Sequence, residues 1–249
     1  MKKFTALLLL FAVLLTIPAF SASFSDIKGH WGESYIENLA MKGVISGMGD
    51  GKFKPDDFVT REQFLKMLMI VTADCANDRL NFENPPVLNL TVEKSAFSDV
   101  STDRWSYYYI KEATEKVIWP AEFNYKFKPV KNITREEAAI WMARALGLGY
   151  GTCDFKDNDL IKRADRVGAA YEKGLITGFD DGTFRPTEGL TRAQAAVMLK
   201  RAEDYKLKSV LKTLPDEVKS IKKDLDKDGK EDKIKVYSDG ERYVLSFFI

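Results

Sequence analysis

The feature that most constrains this chain is an internal repeat. The stretch beginning at Phe24 aligns without a gap on the stretch beginning at Phe155. Asp26 meets Asp157, Ile36 meets Val167, Gly43 meets Gly174 and Gly47 meets Gly178. Asp50-Gly51 meets Asp181-Gly182, Phe53 meets Phe184, Pro55 meets Pro186 and Thr60-Arg61 meets Thr191-Arg192. A third copy lies between them. Phe97-Ser98-Asp99 repeats Phe24-Ser25-Asp26, and after a one-residue insertion Trp105 falls on Trp31. Phe127-Lys128-Pro129 and Thr134-Arg135 complete it. This middle copy lacks the loop glycines: Ala121 stands at the register of Gly47, and Asn124-Tyr125 at that of Asp50-Gly51. Self-similarity at a fixed period marks units that share a core rather than independent folds.

Each copy reads as helix, glycine-rich loop, helix. Trp31, Tyr35, Leu39 and Gly43 recur every four residues, one stripe of a helix. Gly43 is a fitting stop, because glycine adopts the left-handed C′ conformation cheaply. Asp50-Gly51 marks a tight turn and Pro55 a further break. Thr60 with Gln63, Thr134 with Glu137 and Thr191 with Gln194 each fit a capping box at the start of a second helix. Phe64, Leu65, Leu68 and Met69 give that helix an apolar face. Two short helices per copy barely bury a core alone, whereas three copies together can. The apolar stripes, including the cluster Trp105, Tyr107, Tyr108 and Tyr109, are therefore read first as core.

The chain of 249 residues has a formal net charge of +1. That balance argues against nonspecific nucleic-acid binding, which needs a basic face. Met1-Lys2-Lys3, an apolar run over Phe4–Phe20 and the small residues Ser21-Ala22-Ser23 form a secretory signal peptide pattern over residues 1–23. No other stretch is apolar enough to cross a bilayer, so no span is expected after cleavage. Export permits a disulfide between Cys75 and Cys153, and a pair of free, buried thiols is the other reading. A single His, His30, argues against a zinc site.

The stretches "FSDIKGHW…GVISGMGDGKFKPDDFVTREQ", "FSDVSTDRW…YKFKPVKNITREE" and "FKDNDL…GLITGFDDGTFRPTEGLTRAQ" resemble the S-layer homology (SLH) domain family. The likeness covers roughly Phe24 to Glu203. It implies a mainly α fold, three helix-loop-helix SLH repeats in a pseudo-threefold bundle, here followed by a short C-terminal β-hairpin. The expected repeats are 24–72, 97–147 and 155–203, with a linker insertion at 73–96 and a tail at 204–249. The resemblance further implies a non-catalytic module at the cell envelope, held to wall-attached anionic polysaccharide that often carries pyruvyl ketals.

The ligand groove of that family maps onto Thr60-Arg61, Thr134-Arg135 and Thr191-Arg192. Physics points the same way: a helix N-terminus presents unpaired N–H groups, and an exposed Arg beside it offers a planar fork for a carboxylate. The plainer reading is that Thr caps and Arg is solvated. Trp31 and Trp105 either stack on sugar rings or fill the core. Lys162 at the same register in copy three excludes three identical stacking sites. Asp26, Asp99 and Asp157 are candidate ligand contacts whose plainer role is loop bonding. Gly47 and Gly178 would let a ligand approach the backbone closely. Copies one and three keep both the glycine loop and the Thr-Arg start. Arg61 and Arg192 are thus expected to matter more to binding than Arg135, with the fold surviving their loss. That ranking shifts if each Arg serves a neighbouring copy's loop.

After the repeats, Asp224, Asp226, Asp228 and Asp232 stand at loop positions one, three, five and nine, with Gly229 at six. This is the oxygen-rich spacing of a candidate calcium loop. Lys235 replaces the bidentate Glu expected at position twelve. "KIKVY", Ser238-Asp239-Gly240 and "RYVLSFF" then read as a hairpin. Two other functions compete with anchoring: a calcium-dependent extracellular structural or adhesion protein, and an exported polysaccharide hydrolase using paired carboxylates. The hydrolase is the weaker of the two, because residues 204–249 are too few for a usual catalytic domain.

Overall fold

The computed structural model describes residues 24–72, 95–114 and 116–213, with side chains as far as Ser209, and the backbone of 217–223, 232–238 and 243–248. The expected signal peptide, residues 73–94 of the linker, Cys75, and Asp224, Asp226 and Asp228 lie outside them; of Asp232 only the backbone is described. Among the described residues there are six α-helices: α1 (Glu33–Met41), α2 (Arg61–Thr72), α3 (Tyr107–Ala113), α4 (Arg135–Ala145), α5 (Ala164–Glu172) and α6 (Arg192–Thr213). Beyond α6 the backbone follows β1 (Glu217–Lys223), β2 (Asp232–Ser238) and β3 (Tyr243–Phe248), paired antiparallel in that order. Among the described residues, no helix is long and apolar enough to cross a membrane.

The helix starts and stops follow the local chemistry. Gly43 and Gly174 take φ of +69° and +68° just past the ends of α1 and α5. All three second helices open on a capping box. Thr60 and Gln63, Thr134 and Glu137, and Thr191 and Gln194 exchange side-chain and backbone hydrogen bonds at 3.0–3.4 Å.

The copies close on one another in a cycle. The Val59 N–H donates to the Leu190 carbonyl, Leu190 to Ile133, and Ile133 back to Val59, each at 3.0 Å. The first helix of each copy packs on the second helix of the copy before it: α3 on α2, α5 on α4, and α1 on α6. Buried side chains from all three copies form one cluster, in which Phe53, Phe127 and Phe184 occupy matching places. Of the aromatic cluster expected in the core, Tyr107 is buried, whereas Trp105 and Tyr108 are exposed.

The aspartate that opens each copy clips its loop. Asp26 accepts from the N–H groups of Phe53 and Lys54 at 2.8 and 2.7 Å. Asp99 does the same for Phe127 and Lys128, and Asp157 for Phe184 and Arg185. Lys54, Lys128 and Arg185 all have φ between +54° and +58°, and the twofold hydrogen bond holds them in this left-handed conformation. Desolvation raises the Asp26 carboxyl, but the two N–H donors outweigh it and its pKa falls below the usual carboxylate range. Its contribution to stability is therefore present above pH ~3.8 and is lost as pH drops through the lower, folded pKa. Asp26→Asn offers one acceptor where two are needed and should cost about 2 kcal/mol at pH 7. Urea titrations at pH 7 and pH 3 check this. The gap between variant and parent should narrow at the lower pH, and equal stability at pH 7 would disprove the clip.

Candidate functional site: grooves between the copies

The Thr-Arg arginines are not where exposed residues would be. Arg61, Arg135 and Arg192 are only 5%, 8% and 8% exposed. Each reaches into the loop of the next copy. Arg192 Nε donates to the Phe53 carbonyl at 2.7 Å and Nη2 to Ser46 at 2.9 Å. Arg135 Nε donates to Phe184 at 2.8 Å and Nη2 to Thr177 at 3.1 Å. Arg61 Nη1 donates to Phe127 at 2.8 Å, and its remaining fork pairs with Glu137. Burial lowers the pKa of Arg135 to about 10, which still leaves it charged at neutral pH, and also lowers that of Arg192.

The helix ends are equally committed. Arg61 and Glu62 donate their N–H groups to Lys131 and Pro129, Arg135 and Glu136 to Glu188 and Pro186, and Arg192 and Ala193 to Asp57 and Pro55. The third donor of each helix goes to the capping Thr. The unpaired N–H groups expected to hold an anion are thus occupied by the neighbouring copy. Thr and Arg act here as joints between copies: all three guanidinium nitrogens of Arg61, and Nε and Nη2 of Arg135 and Arg192, donate within the protein. From sequence this stood only as an alternative, because the repeat register does not say which loop faces which helix.

The neighbouring-copy geometry also reassigns the arginines. Arg135 serves the glycine loop of copy three and Arg192 that of copy one, while Arg61 serves the loop of copy two. That middle loop is closed. Pro120–Phe123 forms a 3-10 turn, and Phe123 packs against Phe97, Phe127 and Trp141. Phe123 also lies under the Arg61 guanidinium, 5.0 Å from the ring centre. Glu122 takes Arg144 at 2.7 and 2.8 Å and Arg163 at 3.4 Å, so the cations there are neutralised within the protein.

At copy three the loop stays open. A groove of about 580 Å³ is lined by Trp31 of copy one, Arg135 of copy two, and Thr177–Asp180, Gln194 and Arg201 of copy three, over a floor that includes Val197 and Met198. Trp31 is 60% exposed, which settles its core-or-surface alternative in favour of the surface. Trp105, at the same register of copy two, is 52% exposed. Phe179 lies between two guanidinium groups, 4.5 Å from Arg135 and 4.0 Å from Arg185.

Gly178 and Gly47 have a packing reason to be glycine. A Cβ on Gly178 would sit 2.9 Å from Phe155 Cε1, and one on Gly47 2.6 Å from Phe24 Cε1. Phe179, Met198 and Arg201 did not stand out in the sequence, and Gln194 did so only as a helix cap. The spacing could have shown more: Gln194, Met198 and Arg201 follow at i, i+4 and i+7, one face of the capped helix.

Other candidates are simpler. Cys153 is half-buried with its thiol 3.2 Å from Asn158 Oδ1, and burial raises its pKa. Among the described residues, no group of three or more His, Cys, Asp and Glu could hold a metal.

A sequence model of the S-layer homology domain matches residues 23–65, 96–139 and 154–196. An endoglucanase of Bacillus sp. (strain KSM-635) is 37% identical over 110 residues, 44% of this chain and 12% of that protein. A cellulosome-anchoring protein of Acetivibrio thermocellus is 26% identical over 166 residues, 64% of this chain and 35% of that protein. An S-layer protein of Bacillus thuringiensis subsp. finitimus is 24% identical over 201 residues, 77% of this chain and 22% of that protein. The chain spans about a third of these relatives' length or less. With three tandem matches that together cover more than half of it, the chain belongs to the S-layer homology domain family.

Proposed function

We propose that this chain is a non-catalytic module that holds an exported protein at the cell surface by binding anionic, pyruvylated wall-attached polysaccharide between its repeats. The observation that carries this reading is the open groove at copy three, where an exposed indole faces a cationic wall. An indole offers a flat apolar face to a sugar ring, and a guanidinium offers paired donors to a carboxylate. The relatives add support. An endoglucanase, an anchoring protein and an S-layer protein share this portion and differ in name, which fits attachment better than a common activity. The cycle of hydrogen bonds at Val59, Leu190 and Ile133 supports a pseudo-threefold axis through the bundle. The C-terminal hairpin, and calcium bound by Asp224, Asp226, Asp228 and Asp232 in the loop before it, belong to the same proposal on sequence grounds.

The test is a pull-down of the secreted chain with wall sacculi, before and after their non-peptidoglycan polymers are stripped. Binding should be strong to intact sacculi and lost on stripping. Equal binding to both, or to neither, would sink the proposal. A chelator in the same assay should leave wall binding intact. If it abolishes binding, calcium-dependent adhesion is the better account.

A further inference from the structure

We infer that Arg201 is the residue that reads the carboxylate of the bound polymer, in the groove it shares with Trp31; this rests on the anchoring function proposed above. The groove holds two guanidinium groups, and they are in opposite states. Arg135 is buried, and its Nε and Nη2 already donate to Phe184 and Thr177. Its faces are covered by Phe179 and Phe184, 4.5 and 5.1 Å from the ring centres. It supplies positive charge to the groove, and only its Nη1 has no partner among the described residues. Arg201 is half-buried on the groove wall and forms no hydrogen bond or ion pair among the described residues. A guanidinium in a pocket with all five donors unused is poised for a planar, two-oxygen acceptor.

The matching positions show that this arrangement is particular to one groove. Ten residues after the capping Thr, copy three has Arg201, copy one has Ile70 and copy two has Arg144. Arg144 is consumed: it pairs twice with Glu122, donates to the Val117 carbonyl at 3.2 Å and covers Trp119 at 4.0 Å. Copy one has Lys66 instead at the register of Val197, one turn earlier, and this is a point charge rather than a fork. The exposed Asp180 on the loop side of the Trp31 groove repels an anion there and accepts from a hydroxyl. The ligand class that fits is a sugar bearing one carboxylate, stacked on Trp31, with the carboxylate toward Arg201 and a hydroxyl toward Asp180.

The probe is the polymer released from wall sacculi, used as purified and after chemical reduction of its carboxyl groups to alcohols. Parent, R201Q and R201K are titrated with both. The parent should lose roughly ten- to hundredfold in affinity when the carboxyls are reduced, the scale of one charge-assisted contact. R201Q should show the same loss on the native polymer and little further loss on the reduced one. R201K should recover only part, because an ammonium cannot engage both oxygens in one plane. Melting temperatures should stay at the parent's value, since Arg201 has no partner among the described residues to lose. If R201Q binds like the parent while reduction still weakens binding, another cation reads the carboxylate and the inference is overturned. If the parent does not bind the native polymer, the anchoring reading fails and this one with it.

Discussion

Arg192→Ala should destabilise the protein by about 3–5 kcal/mol, a large share of the ~5–15 kcal/mol that holds a typical domain together. The side chain is buried, donates to the Phe53 and Ser46 carbonyls, and lies 4.2 Å from the centre of the Phe53 ring. Alanine would leave both carbonyls without their donor at about 1–3 kcal/mol each, and a void where the stem packs. This reverses the expectation drawn from sequence, in which an exposed arginine could be removed with the fold intact. Arg192→Lys should recover less than half, because one ammonium cannot serve carbonyls seven residues apart with the geometry of a fork. The measurement is the urea midpoint, with the slope as a check that unfolding stays cooperative. A loss below ~1 kcal/mol would mean the buried hydrogen bonds contribute little. Any binding assay on variants of Arg61, Arg135 or Arg192 must therefore be read beside their stability.

Gly168→Ala sets two effects against each other. Gly168 lies inside α5, where alanine is the better helix former by ~1 kcal/mol. A Cβ there would, however, stand 2.5 Å from the carbonyl carbon and oxygen of Gly151 and the nitrogen of Thr152. These are backbone atoms, so no side-chain rotation relieves the clash. The facing glycine is equally constrained, since a Cβ on Gly151 would come within 2.6 Å of the Ala169 nitrogen. Overpacking of this kind costs about 1–3 kcal/mol and sometimes more, and against rigid backbone the upper end applies. The net expectation is a loss of about 2–3 kcal/mol, read as a lower melting temperature. Unchanged or raised stability would show that the segment before copy three yields easily.

Much of the local structure could be read before any coordinates. The repeats share a register, and the three capping boxes and the stops at Gly43 and Gly174 depend only on residues close in sequence. What could not be read was how one copy faces another. The arginines after the caps looked like a solvated anion site because nothing local shows Ser46, Thr177 or Phe127 carbonyls arriving from the next copy. The ranking that favoured Arg61 was expected to shift if each Arg served a neighbouring copy, and Arg61 does serve the closed loop of copy two. That closure was half visible: the missing glycines cast doubt on the copy-two groove, but Phe123 filling the space is a matter of packing. Gly168 and Gly151 face each other only in copy three, so no repeat pattern could flag them.

The length of α6 has a mechanical consequence. The helix continues past its own repeat to Thr213, and its flanks are bound by both helices of copy one. Lys206 holds the Thr72 carbonyl at the end of α2, and Lys42 beyond α1 pairs with the buried Glu203 at 2.7 Å. Tension arriving from the C-terminal side would run along the helix axis, so these contacts meet it in shear and pass it to both helices of copy one. Separating α6 then means breaking several bonds together rather than peeling them one after another.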